Sequence, residues 1–253
     1  MAESISFLDN ADIFDEGEVR WRIGLIALAT DEILERDFAS MCPDASLGIY
    51  VSRIAFANPT TRENLLAMAP HLRETAALLL PGQKLDVIAY GCTSGTALIG
   101  HDAVAQSIKE ARPDVAVVTP SRSAMLALKE LGARRIGMLA AYVEPVTRAL
   151  VDCFEADGFE VISPCCLGLE DDKDIARVSP DKIVELAERV CPADAEAMFL
   201  SCTALRSIGV IEKLESRLGI PVLSSNQVMF WRSMRAAGCD FRVAGFGRLL
   251  SEH

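Results

Sequence analysis

Two cysteines stand in the same setting at two places in the chain. The run LDVIAYGCTSGT (85–96) ends an apolar stretch on Cys92, followed at once by Thr93, Ser94, Gly95 and Thr96. The run AEAMFLSCTALRS (195–207) ends another on Cys202, followed by Thr203. A thiolate is a strong nucleophile and a thiol can deliver a proton, so such a residue can add to carbon or move hydrogen. A thiol at the start of a helix is expected to be the more acidic, because unpaired backbone N–H groups and the helix dipole favour its anion. The same N–H groups, with the hydroxyls of Thr93, Ser94 and Thr203, can hold a carboxylate. Two such turns facing each other across a cleft would set one thiol on each side of a small planar substrate.

Repetition separates these two from the other cysteines of the eight. An unpaired cysteine is most often a small buried apolar residue, and Cys42, Cys153, Cys165, Cys166, Cys191 and Cys239 are expected to be that or neutral surface residues. No two cysteines have C-x-x-C spacing and His71, His101 and His253 are scattered, so no metal site is expected. The small polar turns ALATDE (27–32) and LSSNQ (223–227) end apolar runs too, and either cap helices or line the same cleft.

Elements must exist to carry the turns. Apolar, β-branched runs at 21–29, 47–56, 85–91 and 114–120 read as strands covered on both faces. Helical patterns at 61–80 and 94–111 lie between them. The second half repeats the scheme, with strands at 134–142, 159–164, 195–201 and 220–224 and helices at about 121–131, 144–157, 180–191 and 204–218. RIGLIAL (22–28) and RIGMLAA (135–141) open the two halves, and each half then reaches its own strand-Cys-Thr turn. The chain therefore reads as an α/β fold of two pseudo-symmetric lobes, each a parallel sheet flanked by helices, with the site at their interface. The expected division is residues 1–120 plus 225–253 for the first lobe, the last segment including a helix at 227–238 that packs back on it, and 121–224 for the second. Sites in open parallel sheets form at the carboxyl ends of strands, where both cysteines fall.

The chain has 253 residues, half of them apolar, and a net charge of -11. That balance supplies no basic surplus for nucleic acid or for an anionic membrane. No run reaches the roughly 18 apolar residues of a membrane span. The acidic opening MAESISFLDNADIFDEGEVRW does not read as a signal peptide, so a cytoplasmic protein with reduced thiols is expected.

At these residues the sequence resembles the aspartate/glutamate racemase superfamily, and within it the maleate cis–trans isomerase and arylmalonate decarboxylase branch. RIGLIAL, GCTSGT (91–96), TPSRSAMLALKELGARRIGMLAAY (119–142), GLEDDKDIARVSP (168–180) and FLSCTALRSIGVIEKLESRLGIPVLSSNQVMFW (199–231) carry the resemblance. It implies two pseudo-symmetric lobes, a cysteine from each, no cofactor, a small carboxylate substrate and a homo-oligomer. By that likeness Cys92 adds to carbon and Cys202 moves the proton. The decarboxylases of the branch keep glycine at the first position, so two thiols point to an isomerase or racemase. A decarboxylase and a non-catalytic solute-binding relative are the alternatives.

The resemblance also assigns Tyr142 to substrate contact, and places Asp31 and Asp172 where the isomerases carry asparagines that bind a carboxylate. An aspartate there repels a carboxylate unless it is protonated or meets a cation. That departure is similar to proteins named for ectoine utilisation, and implies a substrate that also carries a positive group.

Overall fold

The computed structural model describes residues 17–253; most of the acidic opening, and the first residues assigned to the first lobe, lie outside them. The first half runs β1 (Trp21–Leu28), α1 (Leu34–Met41), β2 (Leu47–Ile54), α2 (Arg62–Leu66), α3 (Leu72–Ala77), β3 (Val87–Gly91), α4 (Thr93–Ile99), α5 (His101–Ala111), β4 (Ala116–Val118) and α6 (Pro120–Glu130). The second runs β5 (Arg135–Ala140), α7 (Glu144–Ala156), β6 (Glu160–Cys166), α8 (Asp172–Ala176), α9 (Pro180–Val190), β7 (Ala197–Ser201), α10 (Ile211–Leu218), β8 (Val222–Ser224), α11 (Ser225–Ala236) and α12 (Arg248–Glu252).

The strands form two four-stranded sheets of order β2-β1-β3-β4 and β6-β5-β7-β8, every pairing parallel. The second order is the first moved on by one half of the chain, as the internal duplication requires. All five residues of β3 and of β7 are buried, which fits central strands covered by helices on both faces. Gly91 at the end of β3 pairs with Ala27, and Ser201 at the end of β7 with Ala140. The segments that leave β1 and β3, and those that leave β5 and β7, therefore start side by side.

Three expected helices differ. The pattern at 61–80 breaks near Pro70, which has no N–H to give, into α2, a short 3-10 turn at Ala69–His71 and α3. The pattern at 94–111 divides at Gly100, whose φ of 91° no right-handed helix accommodates. Residues 204–218 are helical only from Ile211, after a turn and a 3-10 segment at Ile208–Val210. Helices α1, α8 and α12 have no counterpart in the sequence reading. Helix α11 leaves β8 without a loop and packs on α6, β3 and α1. Among the described residues no helix is long and apolar enough to cross a membrane.

Candidate active site

Cys92 is the N-cap of α4, with extended backbone. The Gly95 N–H points back at it and donates to Sγ at 3.2 Å, while Ser94 Oγ lies 3.7 Å from the same sulfur. Position 95 is tight: a Cβ there would sit 2.8 Å from Cys92 Sγ and 2.9 Å from the Tyr90 hydroxyl, so one of these side chains would have to move. Gly91 is constrained as well, because a Cβ would collide with Leu34 of α1.

Cys202 is built differently. It has φ 155°, in a region that side chains other than glycine's rarely enter. No helix follows directly, which corrects the expectation that this thiol sits at a helix N-terminus. Support comes instead from α11. The Cys202 N–H donates to Ser225 Oγ at 3.1 Å, and the Thr93 hydroxyl donates to the same oxygen at 2.9 Å. One serine thus ties together the two cysteine turns. Asn226 adds a second tie: its Nδ2 donates to the Thr203 carbonyl at 2.8 Å and to Asp37 Oδ2 at 2.7 Å. Thr203 Oγ1 reaches across to the Gly91 carbonyl at 3.4 Å.

Both thiols are 4 % exposed. Burial pushes Cys92 up to about 12, against the Gly95 N–H and Ser94, and the charge of Asp172 adds a smaller upward push. Cys202 is pushed well above the ordinary thiol range by burial and then by Asp172 and Asp31, while the Ala204 N–H and the Tyr142 hydroxyl act the other way. The helix-start lowering expected from the sequence is present at Cys92 but is outweighed by burial. Tyr142, fully enclosed, lies beside the Cys202 sulfur and within electrostatic reach of Cys92, and Ser201 Oγ donates to its hydroxyl at 3.5 Å.

Asp31 does two things. Its Oδ1 accepts from the Ile33 and Leu34 N–H groups at 2.8 and 2.9 Å, anchoring the start of α1. Its Oδ2 is buried without a hydrogen-bond partner. The neighbouring Thr203 hydroxyl lowers the carboxyl's pKa, as do those N–H groups, yet burial raises it on balance. Asp172 opens α8, and its Oδ2 accepts from Thr30 Oγ1. Burial first, then the charges of Asp31 and Asp171, push it up to about 6. The loop before α8 is clasped by the first half: Thr60 N–H donates to the Glu170 carbonyl at 2.7 Å and Asn58 Nδ2 to Asp171 Oδ1 at 3.0 Å.

The eight residues singled out in the sequence thus converge on one place, at the carboxyl ends of β1, β3, β5 and β7. The hydroxyls of Thr93 and Thr203 are engaged within the protein, which leaves backbone N–H groups as the donors those turns offer a ligand. Sequence reading missed Asp37 and Asn58, and it left Thr30, Ser225 and Asn226 undecided between cap and cleft. Both roles occur in LSSNQ: Ser224 caps α11 in a capping box with Gln227, and the next two residues brace the cysteine turns. The other six cysteines are free thiols; Cys239 is buried, Cys166 exposed and the rest half-buried.

The chain has relatives among known proteins. The chain is 26% identical over 246 residues to a maleate isomerase of Geobacillus stearothermophilus, covering 91% of this chain and 97% of that protein. It is 35% identical over 138 residues to the arylmalonate decarboxylase of Bordetella bronchiseptica, 53% of this chain and 57% of that one. The fold matches the solved structure of a Nocardia farcinica maleate cis–trans isomerase mutant with a covalently bound succinylcysteine intermediate, with a TM-score of 0.84 and 23% identity over 92% of this chain and 99% of that chain. The family model described as arylmalonate decarboxylase matches residues 74–250, and the chain belongs to that family.

Proposed function

We propose that this chain is a cofactor-independent isomerase or racemase of a small carboxylate, working through Cys92 and Cys202. The observation that carries this reading is the pair of buried thiols on equivalent turns, sharing Tyr142 and Asp172 as neighbours and braced together by Ser225. The similarity to maleate isomerases over nearly the whole chain supports it, and so does the succinylcysteine in a relative of the same fold.

For an alkene substrate, Cys92 as thiolate forms a C–S bond to one alkene carbon. The π electrons move to the neighbouring carbon, which takes the proton from Cys202. The carbon–carbon bond, now single, rotates. Return of the proton to Cys202 and cleavage of the C–S bond restore the double bond in the other geometry. For a carbon acid, one thiolate removes the α-proton and the opposite thiol supplies another from the far face. Backbone N–H groups at Thr93, Ser94 and Thr203 would hold a carboxylate, Tyr142 would pack on the substrate, and Asp31 and Asp172 would contact its remaining end.

The match to an arylmalonate decarboxylase favours one second reading, loss of CO2 followed by protonation from Cys202. Proton NMR in D2O against a panel of small carboxylates separates the two. Dicarboxylates, amino acids, hydantoins and arylmalonates belong in the panel, with zwitterionic ectoine derivatives leading on the resemblance to ectoine-utilisation proteins. Isomerisation or α-proton exchange, lost in Cys92→Ser and Cys202→Ser, is the expected result. Release of CO2 that survives Cys92→Ser establishes the decarboxylase, and binding without exchange or CO2 overturns both.

A further inference from the structure

The site holds two buried carboxylates that the reaction scheme leaves without a chemical task. Asp31 is 2% exposed and Asp172 is 6% exposed. Asp31 Oδ2 has no hydrogen-bond partner. An unsatisfied buried carboxylate oxygen costs free energy unless something donates to it. Among the described residues none makes a hydrogen bond to it. The Thr203 hydroxyl beside it donates to the Gly91 carbonyl. Arg53, the cation that acts on Asp31, is turned away: its Nη1 donates to the carbonyls of Leu28 and Asp31, and its Nη2 pairs with Glu35 at 2.8 Å. The Asp31 carboxyl lies against the Cys202 turn, beside the Thr203 hydroxyl that follows the thiol.

We propose that Asp31 and Asp172 form a subsite for a cationic group, an ammonium or an amidinium, carried by the same molecule whose carboxylate meets the cysteine turns. The proposal rests on the two-thiol reading for the position of the carboxylate, but not for the charge preference itself. A donor cation there satisfies the orphaned oxygen and favours the ionised form of both carboxyls, which burial opposes. It also acts on the chemistry. Asp172 opposes thiolate formation at both cysteines and Asp31 opposes it at Cys202. A cation bound between them removes that opposition when substrate arrives, so the ligand activates the thiols that attack it. A second carboxylate in the same place would meet repulsion and make both thiols harder to ionise.

Two isosteres test this by calorimetry on the full chain. 4-Aminobutyrate and glutarate differ in bearing an ammonium or a carboxylate at one end. The expected result at pH 8 is that 4-aminobutyrate binds about tenfold or more tightly than glutarate, the scale of one partly buried charge contact. Asp31→Asn, which keeps an acceptor for the Ile33 and Leu34 N–H groups, and Asp172→Asn should each narrow or reverse the order. The groups that face the pair are Arg53 from β2, Asp37 from α1, Asp171 ahead of α8 and the two thiols. Asp172 loses its proton near pH 6. Between pH 5 and 8 the affinity for 4-aminobutyrate should therefore rise and that for glutarate fall. Glutarate binding as well as or better than 4-aminobutyrate at pH 8 overturns the proposal. So does an order that neither asparagine variant changes, or no measurable binding of 4-aminobutyrate. A preference for 4-aminobutyrate in a protein that shows no proton exchange or isomerisation with any carboxylate leaves the subsite standing and removes the isomerase.

Discussion

The Cys92 and Cys202 turns occupy equivalent places in the two halves and are held by different means. Cys92 is held locally. Its own helix starts on it, the Gly95 N–H donates to its sulfur, and Ser94 lies against it. Cys202 is held from a distance. Its backbone is in a disfavoured conformation, and Ser225 and Asn226 of α11 pin its N–H and the following carbonyl. A duplicated motif in sequence is thus not a duplicated support in structure. The local turn should tolerate change elsewhere in the chain, whereas the remote one should fail when residues distant in sequence are altered.

The largest expected effect is loss of either thiol. Cys92→Ser and Cys202→Ser should each lower turnover by about a thousandfold or more, since neither half of a two-group reaction proceeds alone. The two should differ in what they accumulate. Without the proton relay of Cys202, a substrate that adds to Cys92 can stall there, and intact mass spectrometry should find a protein heavier by one substrate. Cys92→Ser should give no adduct. An adduct on Cys202 in the second variant would reverse the assignment of roles.

Next comes Ser225→Ala, which removes the acceptor shared by the Cys202 N–H and the Thr93 hydroxyl. Leaving these buried donors unpaired costs about 1–3 kcal/mol, or roughly ten- to a hundredfold if it falls on the reacting geometry. The loss should appear in kcat more than in KM. An unchanged kcat would show that the strained turn holds itself. Gly95→Ala is the matching change on the other side, and should be milder. Its Cβ, 2.8 Å from Cys92 Sγ, forces the sulfur to move. Overpacking of this kind costs about 1–3 kcal/mol in stability, some of it relieved by rotation of the thiol. Adduct formation at Cys92 should slow while the Cys202 turn is untouched.

These contrasts mark how far the sequence was legible. The strands could be read because buried parallel strands are continuous apolar runs, and all eight strand expectations have a counterpart in the sheets. Cys92 and Cys202 could be read because the strand-Cys-Thr context recurs. Helix breaks at Pro70 and Gly100 follow from the residues themselves, but the apolar periodicity ran through them. Ser225 and Asn226 were visible only as a small polar turn. Their partners lie at Thr93, Cys202, Thr203 and Asp37, and no local pattern announces a contact across that span. The acidity of the thiols was misjudged for a related reason. The helix start is a local feature, whereas burial comes from the whole fold.

The smallest expected effect tests the remote support through pH. Asp37 is pushed up to about 7, by burial first and then by the charge of Asp31, against the help of Asn226. Asp172 is pushed up to about 6. A carboxyl whose folded pKa is raised keeps its proton where the unfolded chain has lost it. The folded state then binds more protons between the ordinary carboxylate range and pH 7, and stability falls as pH rises through that window. The exposed Asp44, Glu185 and Glu196 have lowered pKa values and lose their contribution only at more acid pH. His101, its pKa lowered by burial, acts with the opposite sign in the same window, so it is the comparison of the unaltered chain with Asp37→Asn at pH 5 and pH 8 that isolates Asp37. Tm should be higher at pH 5, by roughly 2–4 °C for each kcal/mol. Asp37→Asn keeps an acceptor for Asn226 and should shrink the difference without abolishing it, because Asp172 remains. Since Asn226 also holds the Thr203 carbonyl, deprotonation of Asp37 bears on the Cys202 turn and not on Cys92. Hydrogen exchange at the amides around residue 202 should quicken from pH 5 to pH 8 beyond the intrinsic rate, while those of α4 do not. A Tm that is flat or rising over this range, or a slope unchanged in Asp37→Asn, would break the link between the buried carboxyl and the second thiol.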